Sequence, residues 1–129
     1  EDVYLPYKQA ALLDQAGIKF GFCYQGDMEA MGQRNLPFSA GTAVAYGLDY
    51  EKAVSALSLN IAQMLGIDKE VGSLESGKEA TFFISEGDAL DMMGNKVVRA
   101  YIQGKSVDLD NHQKQLDRKY RKKYGLEVN

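Results

Sequence analysis

One short segment constrains this chain more than any other. Ile18-Lys19-Phe20-Gly21-Phe22-Cys23-Tyr24 is aromatic-rich and largely apolar, which suits a buried strand. A buried parallel strand needs neighbours on both sides. The sequence around it supplies none, because residues 1–66 otherwise read as helix and loop.

Leu5, Leu12, Leu13 and Ala16 recur at helical spacing, so residues 4–16 read as a helix stopped by Gly17. Gln25-Gly26-Asp27 turns the chain after the strand. Met28 to Leu36 has no clear period and reads as loop with at most one helical turn. Pro37 can open a helix that runs from Phe38 to Tyr46 and stops at Gly47. Asp49 is a good N-cap for the strongest helix, with Val54, Leu57, Ile61, Met64 and Leu65 on one face and Gly66 closing it. Helix, strand, helix, helix is the end of an α/β layer, not a complete one.

The pattern changes after Gly66. Glycines 72, 77, 87, 94 and 104 punctuate short extended runs at Ala80–Ser85, Val97–Gln103 and Lys105–Leu109. Ser73 to Lys78 reads as a tight turn, and the two runs around Gly104 as a β-hairpin. Residues 110–124 return to helix, with Leu109, Leu116, Tyr120 and Tyr124 on one face. A three-stranded sheet with an apolar face also wants a cover. The sequence therefore reads as part of something larger, or as a chain that folds against others.

Charge and composition exclude several classes. The 129 residues carry a net charge of −3, yet residues 110–129 hold six basic residues against three acids. No nucleic-acid motif accompanies that basic end and the pI is about 5.1, so a solvated helix face is the better reading and no nucleic-acid partner is expected. No apolar run approaches the roughly 20 residues of a membrane span, so no membrane partner is expected. One cysteine, Cys23, rules out an intramolecular disulfide. One histidine, His112, rules out a multi-histidine metal centre made by this chain alone.

Arg34 to Lys78 carries a family pattern. Arg34-Asn35-Leu36-Pro37, Ala40-Gly41 and Ala45-Tyr46-Gly47-Leu48 precede Asn60-Ile61-Ala62-Gln63-Met64-Leu65-Gly66-Ile67, and Val71-Gly72-Ser73-Leu74-Glu75-Ser76-Gly77-Lys78-Glu79-Ala80 follows. This resembles the C-terminal end of the amidohydrolase superfamily, close to the imidazolonepropionase-like branch. The resemblance extends through Glu86 to Leu90 and Val97 to Leu109, and upstream through Ala16 to Phe20. The glycine-rich turn superficially suggests a phosphate loop, but Glu79 stands where Ser or Thr would hold magnesium. Turn geometry explains its glycines better, with Lys78 at the surface.

The resemblance implies an α/β fold: the C-terminal fragment of a (β/α)₈ metal-dependent hydrolase barrel. Residues 1–66 would supply the last barrel helix, strand eight and the closing helices. Residues 67–109 would supply the C-terminal strands of a small composite β-sandwich, and residues 110–129 a terminal helix and tail. The partners implied are a small-molecule substrate and the remainder of the chain's own barrel, with a homo-oligomer left open. A cytoplasmic and an exported protein are equally open.

The implied activity is hydrolysis of amide or cyclic amide C–N bonds, non-peptide or dipeptide-like. A divalent metal, zinc in the leading reading, would activate water in the full-length protein. Its usual ligands are histidines and an acid on earlier strands, so this piece alone should bind none and be inactive. The family's strand-eight aspartate, a metal ligand or proton shuttle, aligns without gaps on Gln25, which is neutral. Either Gly26 lets the chain bulge so that Asp27 takes the catalytic and metal-binding role, or the acid is lost and Asp27 is an ordinary turn residue. Gln25 could then be a polar substrate contact.

Arg34 and Asn35 could line the barrel mouth, Arg34 binding a substrate carboxylate bidentately or serving in a structural ion pair. Cys23 reads as an inert buried thiol, His112 as solvent-facing, and Tyr4, Tyr7, Phe22, Tyr24 and Phe38 as packing of the last barrel layer. The rivals are a non-catalytic homologue that binds or scaffolds, and an independent β-rich module in which strand 18–24 would stay unpaired.

Overall fold

The computed structural model describes residues 2–25 and 29–127. Helix α1 spans Leu5–Gln15, opened by a proline in its first turn, and an extended segment without a ladder follows at 18–25. The short α2 (Glu29–Gly32) and a 3₁₀ turn (Gln33–Asn35) lead into α3 (Leu36–Ala45), with Pro37 in its first turn. Next come α4 (Tyr50–Leu57) and α5 (Leu59–Leu65). Strands β1 (Phe82–Ser85), β2 (Val97–Ile102) and β3 (Lys105–Ser106) precede α6 (His112–Lys123).

Alanine builds the core. Ala11 of α1, Ala40 and Ala43 of α3, Leu48, Ala53 of α4 and Leu90 are buried together, with Phe20, Phe22, Val44 and Leu57 packed against them. Small side chains let α3 lie close to both α1 and α4. Gly41 brings the backbone closer still: a Cβ there would run into the Leu90 carbonyl oxygen. That contact joins the helices to the loop between β1 and β2.

The helix expected from Asp49 to Gly66 is two helices. Asp49 caps α4 as expected, its carboxylate accepting from the Lys52 amide at 3.1 Å. The break falls at Ser58 (φ −137°, ψ −87°). An unbroken helix would commit the Ala56 carbonyl to the amide four residues on. Here that carbonyl accepts from the Phe22 amide at 3.1 Å, outside the helix altogether. The apolar stripe read from spacing is corrected too. Ala53, Ala56 and Ala62 are buried, whereas Met64 and Leu65 are 51% and 67% exposed.

The sheet is antiparallel in the order β1-β2-β3, with Phe82 opposite Tyr101 and Ile102 opposite Lys105. The hairpin around Gly104 forms as expected. Gln103 and Gly104 both have positive φ (52° and 75°), the requirement of a two-residue type I′ turn. The strands are shorter than the extended runs, which include residues that no neighbouring strand reaches. Lys78 is also corrected: its side chain is 12% exposed, and its ammonium donates to Ser73 Oγ at 2.5 Å. It holds the turn closed.

Helix α6 is capped by Asn111, whose side chain accepts from the Lys114 amide at 2.9 Å. It buries none of its residues, so the apolar face expected on it stands in solvent. Among the described residues no helix is long and apolar enough to cross a membrane.

Candidate functional site

The residues expected at the site flank the end of the 18–25 segment and the start of α3. One side-chain bond and one backbone bond hold the backbone of that segment at Phe20 and Phe22. Asn60 Nδ2 donates to the Phe20 carbonyl at 3.0 Å while its Oδ1 accepts from Ser55 Oγ at 2.9 Å. The Phe22 amide donates to Ala56, as above. In an extended chain, alternate residues aim their backbone groups to the same side. The edge presented by residues 20 and 22 is therefore taken by the α4–α5 break. Among the described residues, no backbone partner takes up the amides of Lys19, Gly21 and Cys23 on the opposite edge.

The segment ends at Tyr24, whose hydroxyl shares a hydrogen bond with Ser39 Oγ of α3 at 3.1 Å. Gln25 follows, exposed. Asp27 lies outside the described residues. Arg34 is exposed in the 3₁₀ turn, and among the described residues no carboxylate pairs with it. Asn35 is exposed at the N-cap of α3 and makes no side-chain cap bond. Tyr24 thus ties the segment that ends at Gln25 to the helix that Asn35 begins.

Other expectations fall out differently. Cys23 is exposed rather than buried, because the segment lacks a sheet to lie in. His112 is exposed at the start of α6, as expected. Tyr7 and Tyr4 stack on Tyr46 at centroid distances of 5.1 and 5.8 Å, half-exposed, while Phe22, Tyr24 and Phe38 are half-buried. Asn60 had no role assigned from sequence. A polar amide inside an otherwise apolar helical stretch was the available signal, since such a group needs a partner.

One shifted pair lies in a groove away from these residues. In a groove of about 340 Å³ between α3 and the loop at Leu90, the Tyr50 hydroxyl donates to Asp88 at 2.7 Å. That bond raises the tyrosine's pKa, and the Leu90 amide together with Tyr50 lowers that of Asp88. None of the residues expected at the site lines this groove.

A family profile for the amidohydrolases matches residues 8–108. The chain belongs to the amidohydrolase family. It is similar to the crystal structure of an amidohydrolase from Thermotoga maritima MSB8, at 28% identity and a TM-score of 0.68, over 79% of this chain and 26% of that one. It resembles a prolidase complexed with N-methylphosphonate-L-proline (18% identity, TM-score 0.62, 79% and 26% of the two chains). It also resembles an adenosine deaminase from Xanthomonas campestris with bound zinc (20%, 0.58, 88% and 33%). The latter two likenesses show the fold alone. The chain spans about a quarter to a third of the length of these structures. No curated protein matches it significantly.

Family membership supports a hydrolase-type function, and amidohydrolases are generally metal-dependent. The described residues do not fit a metal by themselves: among them no group of three or more His, Cys, Asp or Glu side chains converges. Gln25, Arg34 and Asn35 are exposed polar side chains.

Proposed function

We propose that this chain closes the (β/α)₈ barrel of a metal-dependent hydrolase of the imidazolonepropionase-like branch, acting on non-peptide or dipeptide-like amide and cyclic amide bonds. The observation that carries this reading is the 18–25 segment. It lies inside the family match, one edge is bonded to the α4–α5 break, and its other edge has no strand beside it among the described residues. A barrel strand that lacks its barrel has those properties. In this reading residues 1–66 end the barrel, 67–109 complete a composite sandwich, and 110–129 form a terminal helix.

The substrate would lie against the end of that segment. Arg34 would grip a substrate carboxylate through its planar guanidinium, and Gln25 and Asn35 would hydrogen-bond polar groups of the substrate. Asp27 would be this chain's proton-accepting carboxylate and its contribution to a divalent metal, zinc in the leading reading. The other ligands would lie in preceding sequence, and the 129-residue piece alone would be inactive. Bound small-molecule substrate and the rest of the barrel are its partners.

Gln25 in the aligned acid position favours a second reading, a homologue that binds without catalysing. One experiment separates them. Protein carrying this sequence with the preceding barrel sequence is assayed for zinc per chain and for hydrolysis of N-acyl amino acids, dipeptides and cyclic amides. The enzyme reading expects bound zinc, turnover, and a loss of about 10²-fold or more in kcat for Asp27→Asn. Stoichiometric zinc with full turnover in that variant would remove Asp27 from the mechanism. Absence of both in the parent would favour the non-catalytic homologue.

A further inference from the structure

The three residues assigned to substrate recognition sit on two pieces of chain. Gln25 ends the extended segment, and the adjacent Arg34 and Asn35 lie in the 3₁₀ turn between α2 and α3. Small polar contacts recognise a substrate only if these pieces are held in register. Tyr24 ends the first piece, and its side chain touches the helices on either side of the second, at Gly32 of α2 and Ser39 of α3.

Tyr24 is covalently joined to Gln25. Its hydroxyl is 3.1 Å from Ser39 Oγ, one helical turn from Asn35 and on the same face of α3. Its ring lies against the last residue of α2: a Cβ on Gly32 would stand 3.0 to 3.4 Å from three ring atoms. A side chain there would need the Tyr24 ring to give by a few tenths of an ångström, and Arg34 follows two residues later. The ring sets the distance from α2 while the hydroxyl sets the position along α3.

We propose that Tyr24 is a positioning residue for substrate recognition. It holds Gln25, Arg34 and Asn35 in one arrangement through Gly32 and Ser39, and touches no substrate itself. This rests on the hydrolase reading above. The physical basis is that a displacement of about 1 Å in a recognition group can cost up to about 10²-fold in rate. Removing the hydroxyl frees α3 to shift against the segment while the ring still fills the space over Gly32.

The test uses the protein with its preceding barrel sequence, in Tyr24→Phe, Ser39→Ala and the double variant. The substrates are an N-acetyl amino acid and its carboxamide, which lacks the carboxylate that Arg34 would grip. Each single variant should raise KM for the carboxylate about tenfold and KM for the carboxamide by clearly less, because the carboxamide depends on Gln25 and Asn35 but not on the grip of Arg34. The double variant should add little, because both changes break the same bond. A tether with only a structural role would lower both substrates' turnover together, or neither.

Equal KM values in parent and variants, with the parent active, would overturn the positioning role. So would a loss shared equally by both substrates. A parent that hydrolyses no amide would instead overturn the hydrolase reading itself. Should Tyr24→Phe fail to fold, Ser39→Ala retains the whole ring and decides the matter.

Discussion

Two short apolar segments of this chain have nearly the same character and different fates. Ile18 to Tyr24 and Phe82–Ser85 are both rich in aromatic and branched residues. Phe82–Ser85 finds Val97–Ile102 beside it, and Phe82 packs on Tyr101 with ring centroids 5.1 Å apart. The first segment finds the broken junction of two helices, which satisfies one edge through Asn60 and Ala56. Strand composition states a preference for a pleated, half-buried place. Whether a ladder forms depends on what stands beside it.

The largest expected effect falls on the joint between the two regions. Gly41→Ala drives a Cβ into the Leu90 backbone, which has no flexible side chain to yield, and should destabilise the fold by about 3 kcal/mol. Denaturant unfolding measures it. A loss below half of that would mean that helices and sheet are less tightly joined than the comparison assumes.

A smaller effect tests the segment's one satisfied edge. Asn60→Ala removes the donor to the Phe20 carbonyl and the acceptor for Ser55, for an expected cost of about 1–2 kcal/mol. The amide of Phe22 should exchange faster in that variant while the β2 amides stay as they were. Equal acceleration in both would show that the segment and the sheet open as one unit.

The smallest effect lies beyond the family-matched residues. Arg118 and Gln115 bond the Asp110 carboxylate and hold its pKa down to about 2. A depressed carboxylate pKa means that the stabilisation is complete above the ordinary value of 3.8 and is lost as pH falls towards about 2. The helical circular-dichroism signal should therefore decline slightly more over that window in the parent than in Asp110→Asn. Identical acid titrations would remove the pair from the stability of α6.

Much of the architecture was legible because it is local. Pro37 in the first turn of α3, Asp49 at a cap and Gly104 in a hairpin act through neighbouring atoms. The errors came from tertiary demands. Spacing placed Val54, Met64 and Leu65 inward, but close helix packing selected Ala53, Ala56 and Ala62 instead. The Ser58 break was hidden because its cause is a hydrogen bond to Phe22, 34 positions earlier than Ala56. Cys23 was expected in a buried strand and is exposed, since burial there needs a sheet. Gln25, Arg34 and Asn35 were proposed from the family resemblance, Gln25 by its alignment with the strand-eight acid and the other two by their motif. Tyr24's ties to Ser39 and Gly32 required coordinates.

Amide hydrogen exchange across residues 19–25 tests the account's central claim most directly. In the 129-residue chain, Lys19, Gly21 and Cys23 should exchange freely while Phe22 and the ladder amides of β2 are slowed. In the protein that includes the preceding barrel sequence, Lys19, Gly21 and Cys23 should slow to the range of β2. Free exchange of these three amides in both proteins, or protection of them in the 129-residue chain, would contradict the reading of this segment as a barrel strand awaiting its neighbour.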